Sequence, residues 1–146
     1  LSIYRQTPNG SEQLDEGAVA HQGDVIRIGY RVSDTAFGVI ASVDGRGVVT
    51  LHHPAATPRA TRLRGGEVVL LDQAYELDDA PKWERFYIVT GTTEFEVAPI
   101  VDAIRCYAPG FIFTNFSNSA SGNRRLPASL TVEIVYFSPS LILIVM

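Results

Sequence analysis

The clearest strand signal lies in residues 37–53, which read FGVIASVDGRGVVTLHH. In residues 37–43 apolar side chains recur at every second position. This period of two places four of them on one face of a strand: Phe37, Val39, Ala41 and Val43. Residues 44–47 (DGRG) are typical of a tight turn, and a β-prone run at 48–53 follows directly. The stretch therefore predicts an antiparallel hairpin.

The same alternation extends outward from this hairpin in both directions. Further strands are predicted at residues 1–6, 25–33, 67–72, 83–90 and 130–137, with another apolar stretch at 141–146. Residues 68–71 (VVLL) are apolar at successive positions, which predicts a strand buried on both faces. Turn residues recur about every 8–12 positions, so we expect a mainly β protein, a single antiparallel β-sandwich or open barrel. Its expected core residues are Ile26, Ile28, Tyr30, Val39, Val69, Phe86, Ile88, Val132 and Ile134.

Only one helix is predicted, a short one near residues 99–107, because Pro99 suits a first helical turn and apolar residues follow at helical spacing. Residues 54–64 read as a loop or irregular edge, and residues 74–82 as an acidic connection. We therefore expect one β-rich domain over residues 1–146, with a core at 1–110, a loop at 111–125 and C-terminal strands at 126–146.

Composition excludes several classes of protein. Of the 146 residues, 46% are hydrophobic and 19% charged, which is incompatible with a disordered chain. The net charge of −4 argues against binding to nucleic acid, which needs a basic face. The apolar run at 141–146 is far shorter than the roughly 20 residues of a membrane-spanning helix, so no membrane insertion by this segment is expected.

Two further features concern the chain ends and the single cysteine. The sequence opens with Leu1 rather than Met, so we expect a piece or a processed product of a longer protein. Cys106 has no second cysteine to pair with, and its apolar surroundings predict a small buried side chain rather than a nucleophile.

No catalytic residue, metal site or cofactor site is predicted. His52 and His53 are adjacent in a strand and so point to opposite faces, which prevents both from binding one zinc ion. The presence of Ser42, Asp44 and His53 in one chain is uninformative about a hydrolase, since such a set arises in most chains of this size. Neither a nucleophile elbow nor a glycine-rich phosphate loop is present in the sequence.

The densest group of charged residues lies at positions 76–86. Residues 76–84 of this group are called the acidic segment. The candidate binding residues of the group are Glu76, Asp78, Asp79, Trp83, Glu84 and Arg85. Together with Asp72, its carboxylates would suit calcium if they converged, although the EF-hand pattern is absent and a solvated acidic loop is the alternative. A further alternative is that Glu84 or Asp78 pairs with Arg85 or an arginine of a strand and pins the loop. Trp83 is expected to be either a core anchor or an exposed binding platform.

Several short motifs, in their order along the chain, resemble a bacterial β-rich accessory domain of unknown function, found in exported, anti-sigma-factor-like and kinase-associated envelope proteins. They are LSIYR at 1–5, GDVIRIGY at 23–30, VDGRGVVTLHHP at 43–54 and ERF at 84–86. The resemblance covers roughly residues 1–105, with weaker support in the segment after residue 125. It implies a non-enzymatic extracytoplasmic interaction or sensory module of a larger bacterial envelope or signalling protein, located in the periplasm or cell envelope on a membrane-anchored or exported parent.

The expected partner is therefore another protein, bound through an open sheet edge or through the acidic segment. Residues 141–146 would promote aggregation if exposed, so we expect a buried strand there or a docking site that allows oligomerisation through the C-terminal strand. Two alternatives stay open: a β-sandwich that binds calcium or a glycan, and a hydrolase built on His52 or His53 with a nearby serine or aspartate.

Overall fold

A computed structural model describes residues 1–15, 18–79, 83–107, 130–135 and 143–145 of the chain. These residues form ten strands and one helix: β1 (Ser2–Thr7), β2 (Gly10–Leu14), β3 (Val25–Tyr30), β4 (Ala36–Asp44), β5 (Val49–His53), β6 (Thr61–Leu63), β7 (Val69–Glu76), β8 (Trp83–Gly91), α1 (Val97–Tyr107), β9 (Leu130–Val135) and β10 (Leu143–Val145).

The strands assemble into two sheets. Sheet I has the order β2-β1-β3-β7, and sheet II has the order β10-β8-β4-β5, with β6 also pairing with β4 and β9 with β8. All strand pairs are antiparallel except β10 with β8. Within the described part of the chain the sheets do not close into a barrel, so the predicted β-sandwich is confirmed.

The hairpin predicted at residues 37–53 forms as β4 and β5 and is closed by Asp44. The Asp44 carbonyl accepts a hydrogen bond from the Gly47 N–H at 2.9 Å, and one carboxylate oxygen accepts from the N–H groups of Arg46 (2.9 Å) and Val48 (2.8 Å). Gly47 has a φ of 82°, a conformation that glycine adopts without a steric penalty. Turn chemistry therefore fixes the register of the two strands on either side.

Sheet II is buried on both faces, because alternate residues of β4 and β8 enter two different cores. One core lies between the sheets and includes Ile28, Ile40 and Phe86. The other lies between sheet II and α1 and includes Val39 and Tyr87. The predicted helix is confirmed over Val97–Tyr107, so the architecture is a β-sandwich with a helix against the outer face of one sheet.

Most of the expected core is confirmed. Six of those side chains are buried in the structure: Ile26, Ile28, Tyr30, Val39, Phe86 and Ile88. Val69 is half-buried against the inter-sheet core. The side chains of Val132 and Ile134, the predicted loop at 111–125 and the burial of the 141–146 segment lie outside the described residues.

The prediction that residues 68–71 are buried on both faces is wrong. Val68 and Leu70 are 46% and 40% exposed, whereas Leu71 is buried. The reason is that β7 ends sheet I, while α1 packs on sheet II. β7 also continues to Glu76, so the predicted acidic connection begins later than expected.

Two other expectations need correction. Cys106 is exposed rather than buried, because it lies about 200° around the helix from the core residue Ile104. β2 was not predicted, since its sequence GSEQL carries only one apolar residue; it pairs along β1 at the end of sheet I.

Candidate functional site

A cluster of three polar side chains lies between the two sheets, where the surrounding side chains are apolar. Ser42, on β4, shares its strand face with Ile40, and Glu84, on β8, shares its face with Phe86. His52 comes from the neighbouring strand β5. Ser42 is 1% exposed and His52 7% exposed. Three neighbouring strands thus bring these polar groups together in the core.

Ser42 joins the other two groups through hydrogen bonds. The Ser42 hydroxyl donates to Glu84 Oε1 at 2.6 Å, and His52 Nε2 lies 2.8 Å from the Ser42 Oγ atom. A serine hydroxyl has one proton, so His52 Nε2–H must donate to Ser42 when Ser42 donates to Glu84. The neutral imidazole then carries no proton on Nδ1. None of the described residues offers that buried nitrogen a hydrogen-bond partner.

Burial favours the uncharged form of both ionisable members. The pKa of His52 falls from 6.5 to about 4 because the ring is removed from water. Tyr75 contacts the ring edge-on at a centroid distance of 4.4 Å, and Phe86 stacks at 5.6 Å. The pKa of Glu84 is raised, first by burial and then by the negative charges of Asp44 and Asp78, while the Ser42 hydrogen bond opposes the rise.

The cluster differs from a serine hydrolase site in its connectivity. In a catalytic triad the imidazole lies between the serine and the carboxylate, which orients its second nitrogen. Here Ser42 is the central group, the carboxylate contacts serine, and Nδ1 of His52 has no carboxylate. The arrangement is a buried hydrogen-bonded chain that can hold or move a proton.

The two adjacent histidines face opposite sides of sheet II, as predicted. His52 faces Tyr75 and Phe86, whereas His53 Nε2 lies 2.8 Å from Thr61 Oγ1 on the other side. Burial also lowers the pKa of His53. Ser42 was considered together with Asp44, but its partner in the fold is Glu84, which was not predicted. The available signal was a serine within the otherwise apolar stretch of β4.

The acidic segment is divided between two environments. Asp78 and Asp79 lie in the aspartate loop (residues 77–79) after β7, and both carboxylates contact Arg46, at 3.5 Å and 2.6 Å. The hydrogen bond from Arg46 lowers the pKa of Asp79. Both aspartates remain largely exposed, as does Glu76. An arginine therefore pins Asp78, as predicted, but it is Arg46 of the β4–β5 turn rather than Arg85 or an arginine of a strand.

The remaining predicted site residues lie on β8. Trp83 is half-buried and packs against both cores, which agrees with its expected role as a core anchor; its role as a binding platform stays a prediction. The Arg85 guanidinium lies 5.2 Å from the centre of the Trp83 ring. Glu84 points into the inter-sheet core and therefore does not belong to the exposed acidic surface. Among the described residues, no three histidine, cysteine or acidic side chains are placed to hold a metal ion.

Fold and site together define a β-sandwich domain with one helix-covered sheet and a buried polar chain between its sheets. No family model, curated protein or solved structure matches the sequence or its fold. The resemblance to the envelope accessory domain therefore stays a prediction. Across the described part of the chain, no helix combines the length and apolar character needed to cross a membrane.

Proposed function

We propose that the chain is a non-enzymatic module that recognises another protein, and that it forms an extracytoplasmic part of a larger bacterial envelope or signalling protein. The observation that carries the proposal is a run of exposed residues along β7 and into the loop that follows it. Val68 and Leu70 expose apolar side chains at its start, and the aspartate loop follows its end. Exposed apolar side chains beside charged ones are typical of protein contact surfaces.

The aspartate loop supports recognition because its conformation is held before any partner arrives. Arg46 bridges Asp78 and Asp79 from the neighbouring hairpin. A preformed loop loses less conformational entropy on binding than a free one. Its carboxylates favour a partner with basic side chains, and complementary charge accelerates association.

The apolar side chains of Val68 and Leu70 would add affinity through their burial on binding, which charged groups alone do not provide. Val68 and Leu70 lie beside Gly29 on the outer face of sheet I, with the Tyr4 ring on its other side. A register shift between the pairs made by Arg27 and Gly29 interrupts the β3–β7 ladder. Side chains, rather than a long continuous backbone ladder along the β7 edge, would therefore provide the contact.

Charge reversal tests this surface. The native parent protein is crosslinked briefly in its host, captured through a tag, and the co-captured protein is quantified for wild type and for Asp78→Lys/Asp79→Lys. We expect at least a tenfold loss of capture. The matched control, Asp34→Lys/Glu67→Lys, changes the charge equally at exposed positions elsewhere and should leave capture unchanged. Equal capture by both variants would remove the aspartate loop from the proposal.

Cell fractionation tests the proposed location. An immunoblot of cytosolic, periplasmic and membrane fractions should show a species larger than 15.9 kDa in the membrane or periplasmic material. A cytosolic species of about that mass would contradict the envelope assignment. The capture experiment would be unaffected by that result.

A further inference from the structure

We propose that the Glu84–Ser42–His52 chain is a proton-operated switch, in which proton uptake by His52 loosens the β4–β5 hairpin and releases the aspartate loop. Only the biological consequence of releasing the aspartate loop, a change in partner binding, rests on the proposed function. The conformational step itself is a property of this chain. It would make acidification the signal to which the module responds.

One hairpin carries both ends of the switch. Ser42 and His52 lie on its inner face, and Arg46 lies in its turn. Arg46 is the residue that holds Asp78 and Asp79, at 3.5 Å and 2.6 Å. Displacement of β5 and its turn would therefore break the contacts that fix the loop.

A charged His52 does not fit its present position. An imidazolium ion has two N–H donors; Nε2–H retains Ser42, while Nδ1–H meets no acceptor among the described residues. The ring packs against Tyr75 and Phe86 and is 7% exposed, so a charge on it would be held away from bulk water. Movement of β5 towards solvent relieves both costs. Among the described strands of sheet II, β5 lies at the end and pairs with β4 alone, which makes such movement easier than for an internal strand.

The other ionisable groups around the chain set the direction of the response. Tyr75 faces His52 from β7, and burial raises the pKa of its hydroxyl, so it stays neutral in acid. Asp44 and Asp78 lie near Glu84 and raise its proton affinity. Uptake of a proton by Glu84 neutralises a buried charge and favours the closed arrangement. The residues of β10 paired with the start of β8 are not ionisable. His53 lies on the same strand, with Thr61 as its partner, and burial lowers its pKa as well, so the His52→Gln variant is needed to separate the effect of His52 from that of His53.

Fluorescence tests the switch, because Trp83 is the only tryptophan and begins the strand that follows the loop. We expect its emission to shift to the red between pH 7 and pH 4 in the native chain while far-ultraviolet circular dichroism is retained. His52→Gln should abolish this shift. The matched control, His21→Gln, removes an exposed histidine and should behave like wild type. The same red shift in His52→Gln, or none in wild type, would overturn the switch.

Nitrogen-15 NMR of the unmodified chain covers the case in which His52→Gln does not fold. At pH 7 His52 should show the Nε2–H tautomer, and its pKa should lie near 4 rather than 6.5. An ordinary titration near 6.5 would refute the switch. Neither the fluorescence nor the NMR measurement needs a binding partner. If the switch is refuted, the result of the capture experiment at neutral pH is unaffected. If capture fails, the switch can still be tested.

Discussion

Lowering the pH from 7 to 4 should cost the folded chain about 3 kcal/mol through His52 alone. Its pKa falls from 6.5 in an unfolded chain to about 4 in the fold. Each pH unit of difference corresponds to roughly 1.4 kcal/mol, which sets the magnitude. Because the unfolded state binds the proton first, stability is fully present above pH 6.5. It is then lost progressively as the pH falls, and the loss is complete near pH 4.

Urea unfolding of wild type and His52→Gln at pH 7 and pH 4 measures this term. For each protein, the free energy of unfolding at pH 4 is subtracted from that at pH 7, and the two differences are compared. This comparison removes the effect that the substitution has on stability at both pH values. We expect wild type to lose about 3 kcal/mol more than His52→Gln between pH 7 and pH 4. His21→Gln should keep the wild-type slope. Equal slopes for wild type and His52→Gln would show that His52 is not buried as a neutral ring, and the reasoning would fail.

Three further predictions concern the same cluster and the helix. Glu84→Gln should raise the melting temperature more at pH 7 than at pH 4. The pKa of Glu84 is raised, so its protonated form stabilises the fold below the ordinary pKa of 4.5 and this stability is lost as the pH rises. An equal change in melting temperature at the two pH values would contradict the burial of the carboxyl group. Ser42→Ala should cost about 3 kcal/mol in urea unfolding, since it removes the partner of the buried His52 and of the half-buried Glu84, whereas the exposed Ser11→Ala should cost under about 0.5 kcal/mol. Cys106 should react with a thiol reagent in the folded protein as fast as in urea, and strong protection would contradict its exposure.

The strands could be predicted where apolar residues alternate, and this is why the β4–β5 hairpin follows so closely from its sequence. Period two shows which residues share a face, but it does not show whether another layer covers that face. Residues 68–71 illustrate the difference: their pattern suits a doubly buried strand, yet β7 ends sheet I and exposes Val68 and Leu70. β2 was missed for the opposite reason, because its pairing with β1 supplies the strand and its own polar sequence does not.

The candidate site was less predictable than the fold, because its partners depend on strand register. Ser42 and Glu84 are 42 positions apart and meet only because β4 pairs with β8. Asp44, nearer in sequence, instead bonds the N–H groups of its own turn. Local chemistry predicted the turn correctly, whereas no local signal distinguishes a carboxylate that enters the core from the exposed ones beside it.

The size of the His52 effect determines what kind of response the chain can give. A domain of this length is stable by about 5–15 kcal/mol, so a loss of about 3 kcal/mol does not unfold it. The same free energy is large for an outer strand, since local openings require less than global unfolding. In the described part of the chain, β5 pairs only with β4; it carries His52, and its turn carries Arg46. Acidification should therefore act on β5, its turn and the aspartate loop, and the core contacts that loosen should be those that β5 itself makes through Val49, Leu51 and His52.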